Sequence, residues 1–153
     1  MIQLGKLALS AAIGISIFSG SALAQAKPED AVKYRQAVMT VVKNNFGPIA
    51  GVAKGEIPFK AEIVAAKATN LVAISKMSLE GYDNKATAEV KTSKAKPEVW
   101  SKWADFEAGM KKFMAEAEKL EVAAKSGNLD AIKAQTGEVG KTCKGCHDNF
   151  KAE

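Results

Sequence analysis

The most reactive side chains of the chain lie together near its C-terminal end. The segment Cys143-Lys144-Gly145-Cys146-His147 contains the only two cysteines and the only histidine of the 153 residues. Two cysteines separated by two residues and followed directly by a histidine form the attachment pattern of a c-type haem. On a helix, side chains three positions apart point to the same side, so both thiols can add to the vinyl groups of one porphyrin. His147 then lies beside the porphyrin centre, where an imidazole nitrogen can bind the iron.

Three other uses of these side chains are weaker interpretations. A Cys-x-x-Cys redox pair is typical of a strand-rich, thioredoxin-like setting, whereas the surrounding sequence has helical periodicity. Structural zinc takes four protein ligands, and the chain has no further Cys or His to supply the fourth. A structural disulfide is compatible with an oxidising compartment, but it leaves the adjacent histidine without a role. We therefore expect one haem c, attached through Cys143 and Cys146.

The first 24 residues have the pattern of a cleavable secretory signal. Lys6 supplies a positive start, an apolar run follows from Leu7 to Phe18, and Ala22-Leu23-Ala24 matches the small-x-small cleavage pattern. The apolar run is too short to span a bilayer. We expect cleavage after Ala24, a periplasmic protein without a membrane anchor, and one domain over residues 25–153. Export agrees with the haem motif, because thiols acquire haem outside the bacterial cytoplasmic membrane.

The charge of the chain is mildly basic. The formal net charge is +5, and removal of Lys6 with the signal lowers it to about +4 by the same count. The lysines are spread along the predicted helices, which indicates a solvated surface and not a nucleic-acid interface.

The mature sequence predicts four helices. Pro28, followed by two acidic residues, begins the first helix, and Gly47-Pro48 either bends or ends it, with a continuation possible to about Lys54. A second helix is predicted over about 59–77. The polar segment 79–96 lacks a clear period; a crossover this long either stays on the surface or lines the site.

The third predicted helix starts at Pro97-Glu98 and has a strong apolar stripe at steps of three and four that includes Trp100 and Trp103. Gly127 marks its end, and the fourth helix runs from about Asn128 through the Cys-Lys-Gly-Cys-His motif to Phe150. We expect both tryptophans in the core. Four amphipathic helices with one long crossover predict an all-α, antiparallel four-helix bundle with the covalently bound haem between helices.

Beyond the motif, the sequence resembles the class II c-type cytochromes, and within them cytochrome c′. The similarity covers essentially the whole mature chain. It is carried by the attachment motif at the C-terminus, by the first-helix sequence at 27–39 (KPEDAVKYRQAVM), and by the segments 54–59 (KGEIPF) and 96–100 (KPEVW).

The resemblance implies a role for several single residues. It makes His147 the only protein ligand of the iron and places Met39 over the opposite, distal face. It puts Arg35, the only arginine of the chain, near a haem propionate, and a bidentate carboxylate partner suits its planar fork. It places Lys151 near the proximal imidazole. Two more residues, Leu79 and Tyr82, correspond to positions over the distal face, and Phe150 belongs to the attachment segment.

Two functions remain open on these residues. A five-coordinate iron under an apolar lid binds small gases such as nitric oxide and carbon monoxide. If the Met39 thioether is instead the sixth ligand, the protein is a low-spin electron carrier. With its one histidine committed to iron, the chain has no second imidazole or free thiol for acid–base or nucleophilic catalysis, so we do not expect an enzyme.

The resemblance also implies assembly into a homodimer through the first two helices. Ile49, Val52 and Ile63 are candidates for that surface, although the sequence does not separate them from core positions. A redox partner of unknown identity is expected in addition to the gases.

Overall fold

Four long helices make up most of residues 27–153, the part of the chain that the structure, a computed structural model, describes. The expected signal and its cleavage site lie outside these residues. The elements in chain order are α1 (Pro28–Lys54), α2 (Ala61–Ser75), a short 3₁₀ helix (Lys85–Glu89), α3 (Glu98–Ser101), α4 (Trp103–Lys125) and α5 (Leu129–Phe150).

The first helix continues through its internal proline. Pro48 lies inside α1, which reaches Lys54 and ends at Gly55. A proline at this position removes one bond to the carbonyl four residues earlier. That residue, Asn44, is exposed, so water can satisfy its carbonyl. Gly55 has φ = 79°, and its N–H bonds the carbonyls of the last helical turn, a left-handed ending that glycine adopts without strain.

The third predicted helix is interrupted after one turn. α3 ends at Ser101, and Lys102 adopts φ = −123° and ψ = 45° before α4 begins at Trp103. The second helix was predicted over about 59–77 and is shorter in the structure, where α2 covers Ala61–Ser75. Asn128 begins α5, since its side-chain oxygen accepts the N–H groups of Asp130 and Ala131.

Each long helix packs on two neighbours in the ring α1–α2–α4–α5. The predicted all-α four-helix bundle is confirmed, and no strand occurs among the described residues. Two hydrophobic clusters fill the bundle. The larger joins all four helices and contains Ile49, Leu71, Leu120 and Ile132, each with no exposed surface. The smaller lies around Val99, Phe106, Met110 and Phe150, beside the attachment motif.

The crossover between α2 and α3 is hydrogen-bonded to α1 and to the chain segment that follows α5. Gln36 on α1 donates to the Thr92 carbonyl at 2.8 Å, and Tyr34 donates to Glu80. At its far end, Ala95 forms an isolated antiparallel bridge with Lys151. The segment is therefore held in place, and it passes over the smaller hydrophobic cluster.

The search of residues 27–153 for a helix that is both long and apolar enough to cross a membrane found none.

Candidate haem-binding site

A cavity of about 590 Å³ opens between α1, the crossover, α4 and α5. Its interior is mainly apolar, with walls formed by Val42, Phe46, Phe106, Met110 and Phe113. Phe106 packs edge-on against Phe150 with ring centroids 5.3 Å apart. The volume is within the range of about 300–1,000 Å³ that is typical of cofactor and ligand sites.

The attachment motif forms one wall of this cavity. Cys143, Cys146 and His147 all line it from the last two turns of α5. Both thiols are half-buried, and this burial raises the pKa of each above its ordinary value, with the neighbouring Cys143 adding to the effect on Cys146. The helix thus presents both sulfur atoms and the imidazole to the same space.

The electrostatics around His147 favour a neutral imidazole. His147 is an exposed residue whose side chain lines the cavity, and partial desolvation of its ring lowers its pKa. The positive charge of Lys151 lowers this pKa further, against a smaller opposite effect of Asp148. A neutral imidazole nitrogen is the form that binds iron, because a metal competes with a proton for the same lone pair.

A second wall of the cavity is one face of α1. Arg35, Gln36, Met39, Thr40 and Lys43 all line the cavity, at the spacing expected for adjacent turns of one helical face. Met39 is half-buried and packs against the smaller hydrophobic cluster. Its side chain therefore lines the same cavity as the attachment motif.

Arg35 is buried at the edge of the cavity, with 4% of its surface exposed. Its guanidinium donates to the Gly81 carbonyl (3.1 Å), to Thr87 Oγ1 (2.9 Å) and to Ser93 Oγ (2.7 Å), all in the crossover. It lies 4.5 Å from the centre of the Tyr82 ring, a cation–π distance. Burial lowers the pKa of Arg35 and raises that of Tyr82. None of these contacts is a carboxylate.

The other residues predicted for the site lie at different distances from the cavity. Tyr82, Phe150 and Lys151 line it. Leu79 does not line it, although it packs against the smaller hydrophobic cluster. The structure thus brings most of the predicted residues together around one space.

The expectation that both tryptophans belong to the core is wrong for one of them. Trp103, the first residue of α4 after the break at Lys102, has 38% of its surface exposed. Trp100 is half-buried, and its indole N–H donates to the Tyr82 carbonyl at 2.9 Å. Neither ring lines the cavity.

Several residues of the site were missed by sequence reasoning. Gln36, Thr40 and Lys43 follow from the helical spacing around Met39, so their positions were available from the sequence. Lys94 and Ala95 line the cavity from the crossover, and no pattern in that polar segment indicates it. Their position depends on the bridge to the chain end.

The residues present fit a c-type haem. Two half-buried thiols three positions apart, a neighbouring imidazole, an apolar cavity of sufficient volume and a buried guanidinium without a carboxylate partner are the groups that its vinyls, iron, ring and propionates require. Within residues 27–153, no group of three or more His, Cys, Asp or Glu side chains is arranged to hold a metal ion by itself.

The family model described as Cytochrome C' matches residues 30–151. The chain belongs to the cytochrome c′ family. Cytochrome c′ from Rubrivivax gelatinosus is 42% identical over 125 residues, which are 82% of this chain and 96% of that protein. Its crystal structure is similar to the present one, with a TM-score of 0.76 over 82% of this chain and 97% of that one.

A second solved structure is a ferrous variant of cytochrome c′ from Alcaligenes xylosoxidans with bound nitric oxide. It is 37% identical to this chain, with a TM-score of 0.77, and the match covers 84% of this chain and 98% of that one. A carbon monoxide-bound variant of the same cytochrome c′ matches with a TM-score of 0.76, 37% identity and the same coverage. The predicted relationship to cytochrome c′ is confirmed. Membership implies a c-type haem, and Cys143 and Cys146 are the cysteines available to attach it.

Proposed function

We propose that the chain is a periplasmic monohaem cytochrome, exported by residues 1–24 and folded over residues 25–153. One haem c is attached through Cys143 and Cys146, with His147 as the proximal ligand. It binds nitric oxide and carbon monoxide and takes part in electron transfer without acting as an enzyme. The observation that carries the proposal is that one mainly apolar cavity is lined both by the attachment motif on α5 and by Met39 on α1.

Each wall of the cavity has a separate task in this proposal. The α5 wall binds the haem covalently and supplies one imidazole. The α1 wall closes the distal side with Met39, and the aromatic residues between them exclude bulk water. A haem iron with one protein ligand supplies a position for an uncharged diatomic gas. The nitric oxide and carbon monoxide complexes of the Alcaligenes protein support this use of the cavity.

The second candidate is a low-spin electron carrier with His147 and Met39 as axial ligands. The observation that favours it is that Met39 lines the same cavity as His147. The two candidates differ in whether the Met39 sulfur packs or coordinates, and they predict different spectra for the same variant.

Replacing Met39 by leucine separates the two candidates, because leucine keeps the apolar volume and removes the sulfur. For the gas-binding protein we expect a high-spin spectrum in both wild type and variant, and a carbon monoxide adduct of the ferrous form. Met114→Leu is the matched control, since Met114 packs against the same cluster but does not line the cavity. A wild-type spectrum that is low-spin, ignores carbon monoxide and becomes high-spin only in Met39→Leu would establish the carrier instead.

The attachment itself is tested by mass. Protein from a host that matures c-type cytochromes should carry the added mass of one haem, and a Cys143→Ala, Cys146→Ala double variant should carry none. If mass spectrometry of the wild-type protein shows no added mass of a haem, the whole proposal is contradicted.

The proposed homodimer uses exposed apolar surface of the first two helices. Ile49 and Val52 are buried within the chain itself and cannot form this surface as they stand, which leaves Ile63 of the predicted set, with 50% of its area exposed. Ile63 lines a small groove between α1 and α2, and Ile57, which is 43% exposed, lines this groove too. Sedimentation of Ile63→Lys against Val122→Lys, an equally charged change at an exposed valine on α4, tests this surface: only Ile63→Lys should yield monomers.

A further inference from the structure

Three lysines from three different elements surround the edge of the cavity. Lys43 lies on α1, Lys94 in the crossover and Lys151 directly after α5, and all three are exposed residues that line the cavity. Among the described residues, no Asp or Glu lines it. The side-chain ion pairs in residues 27–153 involve other lysines, so no side-chain carboxylate pairs with this lysine rim (Lys43, Lys94 and Lys151). The Lys94 ammonium donates to the Glu153 carbonyl oxygen, and the Lys151 ammonium donates to the Ala152 carbonyl oxygen at 3.4 Å.

Two members of the rim are held in place by backbone hydrogen bonds. The Lys96 N–H donates to the Phe150 carbonyl at 2.9 Å, and the Ala152 N–H donates to the Lys94 carbonyl at 2.8 Å. These bonds flank the bridge between Ala95 and Lys151. Asp148, the acidic residue nearest to Lys151 on its N-terminal side, is paired with Lys144. The positions of the positive charges are therefore a property of the fold and not of loose side chains alone.

The positive charge at the edge exceeds what the proposed cofactor can neutralise. Arg35 and the lysine rim provide four cations around the cavity. A haem carries two propionates, so two positive charges remain after both are paired. Arg35 is buried, which leaves the exposed lysines to present this excess to the solvent. Like-signed exposed charges around one opening attract oppositely charged molecules and raise their rate of encounter.

We propose that the lysine rim is the docking surface for an acidic protein that carries a one-electron centre. This inference rests on the proposed haem function. In the docked pair, one electron leaves the ferrous iron and reduces the partner's centre, for example Cu(II) to Cu(I) in an acidic copper protein, and no proton or bond needs to move. The same charges orient the partner toward the cavity edge.

The experiment compares two variants with the same change in net charge. Lys43→Gln with Lys94→Gln removes two charges at the rim. Lys133→Glu changes the net charge by the same two units at an exposed position near the start of α5, ten residues or about 15 Å along the helix from Cys143, and does not touch the cavity. The oxidation of the ferrous holoprotein is then followed by stopped-flow absorbance at low ionic strength.

Three oxidants act as probes: the hexacyanoferrate(III) trianion, the tris(phenanthroline)cobalt(III) trication and an acidic blue-copper protein. We expect the rim variant to react about tenfold more slowly than wild type with the trianion and the copper protein, and faster with the trication. The control should change by less than about twofold. Salt near 0.5 M should make the oxidation rates of wild type, rim variant and control converge, because it screens exposed charges.

A second readout does not depend on electron transfer. A carbodiimide joins lysine amines to carboxylates only when the two are in contact, so cross-links to the copper protein should map to Lys43, Lys94 and Lys151 and not to Lys133. Equal rates for the rim variant and the control, or cross-links spread over the surface, would overturn the docking surface. A protein without haem absorbance would instead remove the proposed function, so the two failures are distinguishable.

Discussion

Removal of the Arg35 guanidinium should destabilise the protein and loosen the crossover. Arg35 donates three hydrogen bonds to residues 46 to 58 positions away, at Gly81, Thr87 and Ser93. Hydrogen bonds from a charged donor contribute about 1.5–3 kcal/mol each, and the stacking on Tyr82 adds about 1 kcal/mol. Against this stands the cost of burying a cation, which is several kcal/mol. We expect Arg35→Met to lower the free energy of unfolding by about 2–4 kcal/mol.

The assay is urea denaturation of the holoprotein, followed by circular dichroism, together with amide hydrogen exchange. In Arg35→Met, exchange should accelerate first in the crossover over residues 81–93, because its anchor to α1 is lost. Gln36→Leu is the neighbouring control, since Gln36 makes one exposed hydrogen bond to the same segment and should cost less than about 1 kcal/mol.

Arg35→Lys separates the effect of the positive charge from the effect of the planar guanidinium with its several donors. A lysine keeps the positive charge but does not reach three acceptors in the same plane. We expect it to recover less than half of the lost stability. If Arg35→Met changes the unfolding free energy by less than 1 kcal/mol and exchange over 81–93 stays at the wild-type rate, then Arg35 does not hold the crossover and the reasoning above is wrong.

Three further outcomes follow from particular contacts. Leu71→Ala should cost about 2–5 kcal/mol by urea denaturation, because its side chain is fully buried and leaves a cavity. Gly81→Ala should lower the free energy of unfolding by about 1 kcal/mol more than Gly127→Ala. Both glycines have positive φ, but only at Gly81 would the added Cβ lie 3.0 Å from a backbone oxygen of α1. Equal losses of stability in the two variants would refute this contact. Before haem attachment, burial raises the pKa of Cys143 and Cys146 above the ordinary value of 9.0. The contribution of the neutral thiols to stability is therefore complete below about pH 9 and is lost as the pH rises beyond it. Unfolding curves of the protein without haem that show greater stability at about pH 10 than at about pH 8 would contradict this sign.

The sequence alone determined the features that depend on neighbours along the chain. Pro28 with its acidic followers, Gly127 and Asn128 mark helix ends because capping and dihedral preferences act within a few residues. The spacing within Cys143–His147 predicts a shared face for the same reason, and the structure places all three side chains on one cavity wall. The four long helices and the bundle architecture followed from periodicity, whereas the break that separates α3 from α4 did not.

Local rules were insufficient where two tendencies compete. Gly47-Pro48 allowed either an end or a continuation of α1, and the buried residues Ile49 and Val52 show why it continues: the turn beyond the proline packs into the main core. Those two residues looked equally suited to a dimer surface, because an apolar side chain has the same pattern whether it faces its own core or a partner. Trp103 fitted the core stripe but lies outside it after the break at Lys102.

Only the tertiary structure decided which distant groups meet. Arg35 bonds to residues more than 40 positions away, and Lys94 reaches the cavity through the bridge that joins Ala95 to Lys151. No short-range preference encodes these pairings, because a polar crossover has no period and its path depends on which donors and acceptors the packed helices present. Five consecutive residues, 143–147, therefore predict the haem attachment, whereas the fold brings together the charges around the opening of the cavity.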